Sequence, residues 1–342
     1  MKILLVSNYL NSPNHNQNVW QDLAEHLKSA SFEVMTTSSQ TNKVVRLLDM
    51  LFTIWTQREN YQIAQVDVFS GQAFLWAECC GKLLHTIGKP FVLTLHGGNL
   101  PEFSQKHPRR VRKLLGMAGA VTAPSNYLLE RMAIYRSDIR LIPNPIEVSN
   151  YPFRLRTNPS PAMVWLRAFH QIYNPSMAPK VLANILDECP SASLTMIGPD
   201  KGDHSLQTTK EVARHLGATQ MIKFPGAVSK NEVPVVLNQG DIFINTTNFD
   251  NTPTSVMEAL ACGLCVVSTN VGGIPYLINH EEDGLLVPPE DPAAMAVVVR
   301  RILTEPGLAE KLSRNGRKKA EQFDWSFILP KWESLFRKIA ND

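Results

Sequence analysis

Short apolar runs alternating with helix-period segments constrain this chain more than any other feature. Residues 2–7, "PFVLTLH" (90–96), "AMVWLRAF" (162–169), "DIFINT" (241–246) and "CVVST" (265–269) are largely continuous apolar runs rather than alternating ones. Strands of that kind have both faces buried, which requires a parallel sheet with helices above and below it. Between the runs, stretches such as 16–30, 73–87, 176–188 and 292–304 have helical spacing. The alternation stops at "PIEVSNYPFRLRTNPSP" (145–161), which holds four prolines and reads as a linker, and then it restarts. A chain of 342 residues exceeds what one core usually serves. The expectation is an α/β protein of two doubly wound, Rossmann-like domains, 1–150 and 160–322, facing a central cleft at the carboxyl ends of their strands.

The segment "VVRLLDMLFTIW" (44–55) is apolar nearly all round. It is too short to span a bilayer and carries Arg46 and Asp49, so it reads as a buried helix. No stretch reaches the roughly 18 to 20 apolar residues of a membrane span, and "MKILLVSNYLN" reads as a first strand without a cleavage-like site. A net charge of +3 is too small to imply nucleic acid, and none is expected as a partner. Lys plus Arg outnumber Asp plus Glu by 15 to 11 in residues 1–150, against 19 to 20 in the rest. Five irregularly spaced cysteines fit a reducing compartment better than a disulfide scaffold. A cytoplasmic protein follows, touching a membrane at most from its inner face. The basic segment "KHPRRVRKLLG" (106–116) is either a helix lying on an anionic leaflet through Val111, Leu114 and Leu115, or a solvated outer helix.

The strand-to-helix junctions carry the chemistry. Neither domain has G-x-G-x-x-G after its first strand, a P-loop is absent, and no D-x-D follows an apolar strand, so neither a dinucleotide cofactor nor a metal is expected. "HEEDG" (280–284) reads as a solvated acidic turn, and Cys262-Gly263-Leu264-Cys265 as a helix end followed by a buried strand. "NFDNTPTSVMEALACG" (248–263) is different, because a polar stretch after an apolar strand leads into a helix start that suits an anion. Pro253 fits the first turn, Thr254 or Ser255 can cap it, and Glu258 lies one turn in. That carboxylate either complements the helix dipole or accepts from vicinal hydroxyls.

"DNTPTSVMEALACGLCVVSTNVGGIPYLINHEEDGLLVPPEDPAAMA" resembles the signature of the retaining glycosyltransferases of the large GT4 family, the glycosyl transferases group 1, which have the two-domain GT-B fold. The likeness extends to "LTLHGGN", "VTAPSNYL", "LIPNPIE", "IGPDKGD", "FPGAV" and "FDWSFILPKWESLF", so it covers nearly the whole chain. It implies that Glu258 binds the nucleotide ribose and that Asp250, seven intervening residues earlier, faces the donor sugar where relatives carry Glu. Backbone groups of Asn251, Thr252, Pro253 and Thr254 would hold sugar hydroxyls, and the helix start at Thr254 and Ser255 the diphosphate. Arg167 matches the family's diphosphate arginine, whereas the lysine that usually follows about five residues later is lost in "FHQIYNP". Lys201 either compensates or is a solvated loop lysine. His96, ending "FVLTLH", matches a histidine near the reacting centre. The N-terminal loop has "NSPNHNQN" where many relatives have paired glycines.

The resemblance also implies a C-terminal helix, about 325–342, crossing back to the N-terminal domain. The function it implies is transfer, with retention, from a nucleoside diphosphate sugar to a glycan or lipid-linked glycan acceptor. The C-terminal domain would take the donor and the N-terminal domain the acceptor. Because Asp250, the lost lysine and the lost glycines depart from the pattern, a weakly active or non-catalytic partner subunit stays open, and so does a nucleotide-sugar hydrolase or epimerase of the same fold.

Overall fold

The structure is a computed structural model that describes residues 1–7 and 19–341, with only the backbone of Val19 and Trp20. The loop "NSPNHNQN" lies outside the described residues. Two compact units emerge, Met1–Pro145 with Trp325–Asp342, and Ile146–Asp324.

Unit 1 runs β1 (Lys2–Val6), α1 (Val19–Ser29), β2 (Glu33–Thr37), α2 (Lys43–Thr56), β3 (Ile63–Val68), α3 (Phe74–Thr86), β4 (Phe91–Leu95), α4 (Leu100–Lys106), α5 (Pro108–Met117), β5 (Ala120–Ala123), α6 (Asn126–Met132) and β6 (Arg140–Leu141). Unit 2 continues with β7 (Ala162–Leu166), α7 (Met177–Leu186), β8 (Ser193–Ile197), α8 (Ser205–His215), β9 (Ile222–Gly226), α9 (Val233–Leu237), β10 (Ile242–Asn245), α10 (Thr254–Cys262), β11 (Cys265–Thr269), α11 (Ile274–Leu277), β12 (Leu285–Val287), α12 (Pro292–Thr304) and α13 (Leu308–Glu321). The last helix, α14 (Trp325–Asn341), belongs to unit 1.

Each unit holds one six-stranded parallel sheet, ordered β2-β1-β3-β4-β5-β6 and β12-β11-β10-β7-β8-β9. The apolar runs become central strands: β3, β4, β5, β10 and β11 are buried at every residue. Helices cover both faces, as such strands demand. On one face of the unit 1 sheet, Met50 and Ile54 of α2, Phe74 and Leu84 of α3, and Leu114 and Leu115 of α5 pack with Leu4 and Val66. On the other, Leu23 and Leu27 of α1 and Trp332 and Phe336 of α14 pack with Ile3, Leu5 and Val92. In unit 2, α7 and α12 close one face and α9 and α10 the other.

Four local expectations are corrected. The helix expected over 106–116 is divided, because Pro108 cannot continue α4 and instead opens α5. Helix α2 is only partly buried: Val44, Val45, Leu48, Phe52 and Trp55 are 46–68% exposed, and the buried members are Met50, Ile54 and, unexpectedly, Arg46. Arg46 turns inward because its guanidinium donates to the carbonyls of Gln40 (2.7 Å) and Thr41 (3.1 Å) and lies over the Trp76 ring. The apolar side of α5 is spent on the core, so Val111, Leu114 and Leu115 cannot enter a leaflet, while Arg109, Arg110, Arg112 and Lys113 are exposed. Within "HEEDG", Asp283 is buried and accepts from the Asn279 N–H at 2.7 Å, so the turn is only partly solvated. Among the described residues no helix is long and apolar enough to cross a membrane.

Candidate active site

Doubly wound sheets bind ligands beyond the carboxyl ends of the strands where the strand order reverses. In unit 2 that point lies between β7 and β10, and the loops after these two strands carry most of the predicted donor residues. The loops are tied together. The Trp165 indole donates to the Thr246 hydroxyl (2.9 Å), which donates to the Tyr173 carbonyl (2.8 Å), and the Asn248 N–H reaches the Ile172 carbonyl (2.8 Å).

Arg167 follows β7, and its guanidinium donates to the Asp250 carboxylate while lying 4.3 Å over the Tyr173 ring. Tyr173 therefore supports Arg167 in the stretch where the family's lysine is lost. Asp250 also accepts from the Asn251 N–H at 2.8 Å. Burial pushes the Asp250 carboxyl above its ordinary range, against the opposing pull of Arg167 and of that N–H. Two glycines shape this loop from behind. A Cβ on Gly272 would lie 2.1 Å from the Asp250 carbonyl oxygen, and one on Gly273 would lie 1.9 Å from that of Asn251. The Gly273 N–H donates to the Asp250 carbonyl at 2.9 Å. The "VGG" turn is thus a template against which the Asp250–Asn251 backbone is pressed.

Helix α10 starts at Thr254 with Pro253 in the N-cap position, and no side chain caps it. Neither Thr254 nor Ser255 does so, contrary to expectation. Within the first turn the Val256 N–H donates to the Pro253 carbonyl (3.1 Å), and the positive end of the helix dipole at this start favours an anion. At Gly263 (φ 78°) the helix ends in the left-handed conformation, where a Cβ would strike the Phe153 ring and the Arg154 carbonyl at under 3 Å. Every residue from Ser255 to Cys262 is buried, including Glu258. Burial raises its carboxyl above the ordinary range, opposed by a hydrogen bond from Tyr151 (2.8 Å to Oε1) and by the charges of Lys230 and Arg167. Neither Tyr151 nor Lys230 was legible as a site residue, the first lying in a proline-rich linker and the second in a polar loop.

Four buried side-chain polar atoms lack a partner among the described residues: Arg167 Nε, Thr252 Oγ1, Ser255 Oγ and Gln65 Oε1. Three belong to this one site, where donors and hydroxyls without partners await something polar. Lys201 stands apart, exposed on the loop after β8, with its backbone N–H on the Phe169 carbonyl.

In unit 1 the strand order reverses between β1 and β3. Ser7, just past β1, donates to Asp67 near the end of β3, and Gln65 donates to Asp67 (2.7 Å) and Thr94 (2.9 Å). His96, buried at the end of β4, sets Nε2 3.2 Å from Asp67 Oδ1. Asp67 was missed in the sequence, although a lone carboxylate inside the apolar strand "QVDVFS" is the signal that finds it. It stands where a carboxylate can orient the imidazole through one ring nitrogen. A cavity beside this pair has apolar walls, Met50, Val66, Trp76 and Cys80, and a polar end, Ser7 and Asp67. No group of three or more acidic, His or Cys side chains suited to a metal occurs among the described residues. Burial pushes the thiols of Cys262 and Cys265 up to about 12.

Comparison with known proteins places this geometry. Residues 157–319 match the model of glycosyl transferases group 1, and residues 17–150 match that of glycosyltransferase family 4. A D-inositol 3-phosphate glycosyltransferase from Streptomyces bingchenggensis is 27% identical over 161 residues, 44% of this chain and 35% of that protein. The chain spans less than half the length of the curated relatives it matches. Among solved structures, a sucrose-phosphate synthase from Thermosynechococcus elongatus superposes with a TM-score of 0.78 at 18% identity, covering 98% of each chain. The Anabaena protein HepE in complex with UDP-glucose does so with 0.76 at 16%, covering 98% of this chain and 100% of that one. With both halves matched and the two parallel six-stranded sheets of the GT-B fold in place, the chain belongs to the glycosyl transferases group 1 of glycosyltransferase family 4.

Proposed function

We propose that this protein is a retaining glycosyltransferase that moves a sugar from a UDP- or GDP-sugar to a glycan or lipid-linked glycan in cell-surface polysaccharide synthesis. The observation that carries the reading is the set of partnerless buried atoms, Arg167 Nε, Thr252 Oγ1 and Ser255 Oγ, around an uncapped helix start at the unit 2 switch point. Such a place suits a diphosphate with a sugar attached, and the likeness to a protein solved with UDP-glucose supports it. Arg167 and the first turn of α10 take the diphosphate, Asp250 and the backbone of residues 251–254 the sugar hydroxyls, and Glu258 the ribose. Lys201, on its exposed loop, is held in reserve for the phosphate edge.

On binding, Arg167 exchanges Asp250 for phosphate oxygens, which frees the Asp250 carboxylate to accept from the sugar. The acceptor oxygen attacks the anomeric carbon on the face from which the diphosphate departs. As the carbon–oxygen bond to the β-phosphate breaks, that phosphate oxygen takes the acceptor's proton. Negative charge grows on the diphosphate, where a fixed guanidinium and a helix N-terminus stabilise it best. No metal is needed for this, so activity should survive EDTA. Within unit 1, His96, with Nε2 3.2 Å from Asp67, is the side chain assigned to the acceptor. A donor panel incubated with and without acceptors, with products read by mass spectrometry, tests the proposal: transfer requires a glycosylated product, and nucleotide release only without acceptor would make the protein a hydrolase. The Arg167–Asp250 ion pair favours one second reading, a weakly active partner subunit whose site stays closed. Failure of every nucleotide sugar to bind would select it.

For a lipid-linked acceptor the membrane contact shifts from α5 alone to α2 and α5 together. Both lie in the layer over the same face of the unit 1 sheet, α2 with its exposed apolar stripe and α5 with four exposed cations. An apolar stripe on α2 and cations on α5, each helix packed against α3, suit the interface of an anionic leaflet. Sedimentation with phosphatidylglycerol vesicles, against neutral phosphatidylcholine, should bring the protein down only with the former, and binding to neither removes the membrane from the proposal.

A further inference from the structure

Residues 146–156 leave unit 1 and are fastened along the end of α10. The Arg154 N–H donates to the Cys262 carbonyl (3.2 Å), and the wholly buried Arg156 guanidinium reaches the Cys262, Arg154 and Gly240 carbonyls and the Asn238 side chain. Arg317 of α13 donates to the carbonyls of Tyr151 (2.9 Å) and Ala261 (2.8 Å), bracing the same corner. In that brace the Tyr151 side chain is buried, and its hydroxyl donates to Glu258 Oε1 at 2.8 Å, across 107 residues of sequence.

We propose that Tyr151 is a positioning residue that holds the Glu258 carboxylate in the orientation that reads a nucleotide's ribose. This rests on the assignment of Glu258 to the ribose made above. The physical case is one of valence and stiffness. A carboxylate offers two oxygens with about four acceptor directions, and a pair of vicinal hydroxyls needs two of them correctly aimed. Tyr151 occupies one direction on Oε1, which fixes the rotation of the carboxylate about its last bond and leaves the remaining directions for the 2′- and 3′-hydroxyls. Tyrosine suits this task because it has few rotatable bonds, and here its backbone is itself tied by the N–H to the Val148 carbonyl (3.1 Å) and by Arg317. Around Glu258 the neighbours are apolar, Val256, Met257, Ala259 and Leu260 among them. Without the phenol the carboxylate would lose the hydrogen bond that holds Oε1 and could turn away from the sugar.

The test is selectivity between ribose and deoxyribose, which a merely structural tyrosine would not move. Affinity is measured by calorimetry for whichever of UDP, GDP or ADP most raises the melting temperature, and for its 2′-deoxy counterpart. Tyr151→Phe keeps the ring and its packing. It should weaken the ribonucleotide about tenfold, as expected for losing a hydrogen bond to a charged group, and the deoxynucleotide much less, so that the ratio falls towards one. An unchanged ratio in Tyr151→Phe, with a collapsed ratio in Glu258→Ala, overturns the role of Tyr151 alone. An unchanged ratio in Glu258→Ala overturns the ribose assignment beneath it. Should Tyr151→Phe not fold, 3-fluorotyrosine placed at 151 answers the question: its more acidic phenol is a stronger donor, the ratio should rise, and an unaltered ratio overturns the proposal.

Discussion

Helices α10 and α2 are both rich in apolar residues, and they meet opposite fates. In α10 everything from Ser255 to Cys262 is buried and a carboxylate goes in with the rest; in α2 five large apolar side chains face outward and a guanidinium goes in. Composition does not separate them. Neighbours do: α10 begins at a sheet's switch point and is packed by α9, α13 and the connector, whereas α2 meets the unit 1 core with little more than Met50 and Ile54. Where a fold buries a charge it holds it with specific partners, here Tyr151 for Glu258 and carbonyls for Arg46. Where it exposes apolar side chains along one helix, the occupant proposed above is an anionic leaflet.

The comparison breaks most visibly at the cation that serves α10's first turn. Arg167→Ala should lower turnover on the order of 10²- to 10³-fold, the usual loss of a group that stabilises charge developing in the transition state, as read by nucleotide release. A wild-type rate would remove Arg167 from the diphosphate. A smaller effect concerns the carboxylate inside α10. Its pKa is raised on folding, so the folded state binds the proton more tightly than the unfolded chain. Glu258 therefore destabilises the fold at neutral pH, and that loss is recovered as pH falls through the raised pKa towards the ordinary value of 4.5. Glu258→Gln, which keeps an acceptor for Tyr151 and never ionises, should melt above wild type at pH 8, with the gap narrowing at pH 5. An equal gap at both pH values would mean that the carboxyl is not the source. The smallest change belongs to α2. Leu48→Ser with Phe52→Ser should alter stability by no more than about 0.5 kcal/mol per site, as exposed substitutions do, while abolishing sedimentation with anionic vesicles. A large drop in melting temperature would instead make the stripe part of a core.

Much of this was legible from residue order. The apolar runs became the parallel strands, "CVVST" became β11 residue for residue, and the donor signature lies on α10 and the loop before it. Other features depend on partners far along the chain. Arg46 points inward because of Gln40, Thr41 and Trp76, and no helical periodicity reveals that. Asp67 gains meaning from His96, 29 residues later, and Tyr151 from Glu258, 107 residues later. Capping was misjudged for a local reason: Pro253 takes the N-cap position itself, leaving Ser255 inside the helix with its hydroxyl buried and partnerless.

The return of α14 to unit 1 has a consequence for how the protein is made. Ile3, Leu5, Ile63 and Val92 lie under Trp332, Leu335 and Phe336, yet the whole of Ile146–Asp324 is translated between them. One greasy flank of the nascent sheet therefore leaves the ribosome long before its cover, and an exposed flank of that kind is where chains associate wrongly and chaperones bind. Unit 1, begun before unit 2, is thus finished after it, and ribosome-bound chains halted before residue 325 should be the form that chaperones hold.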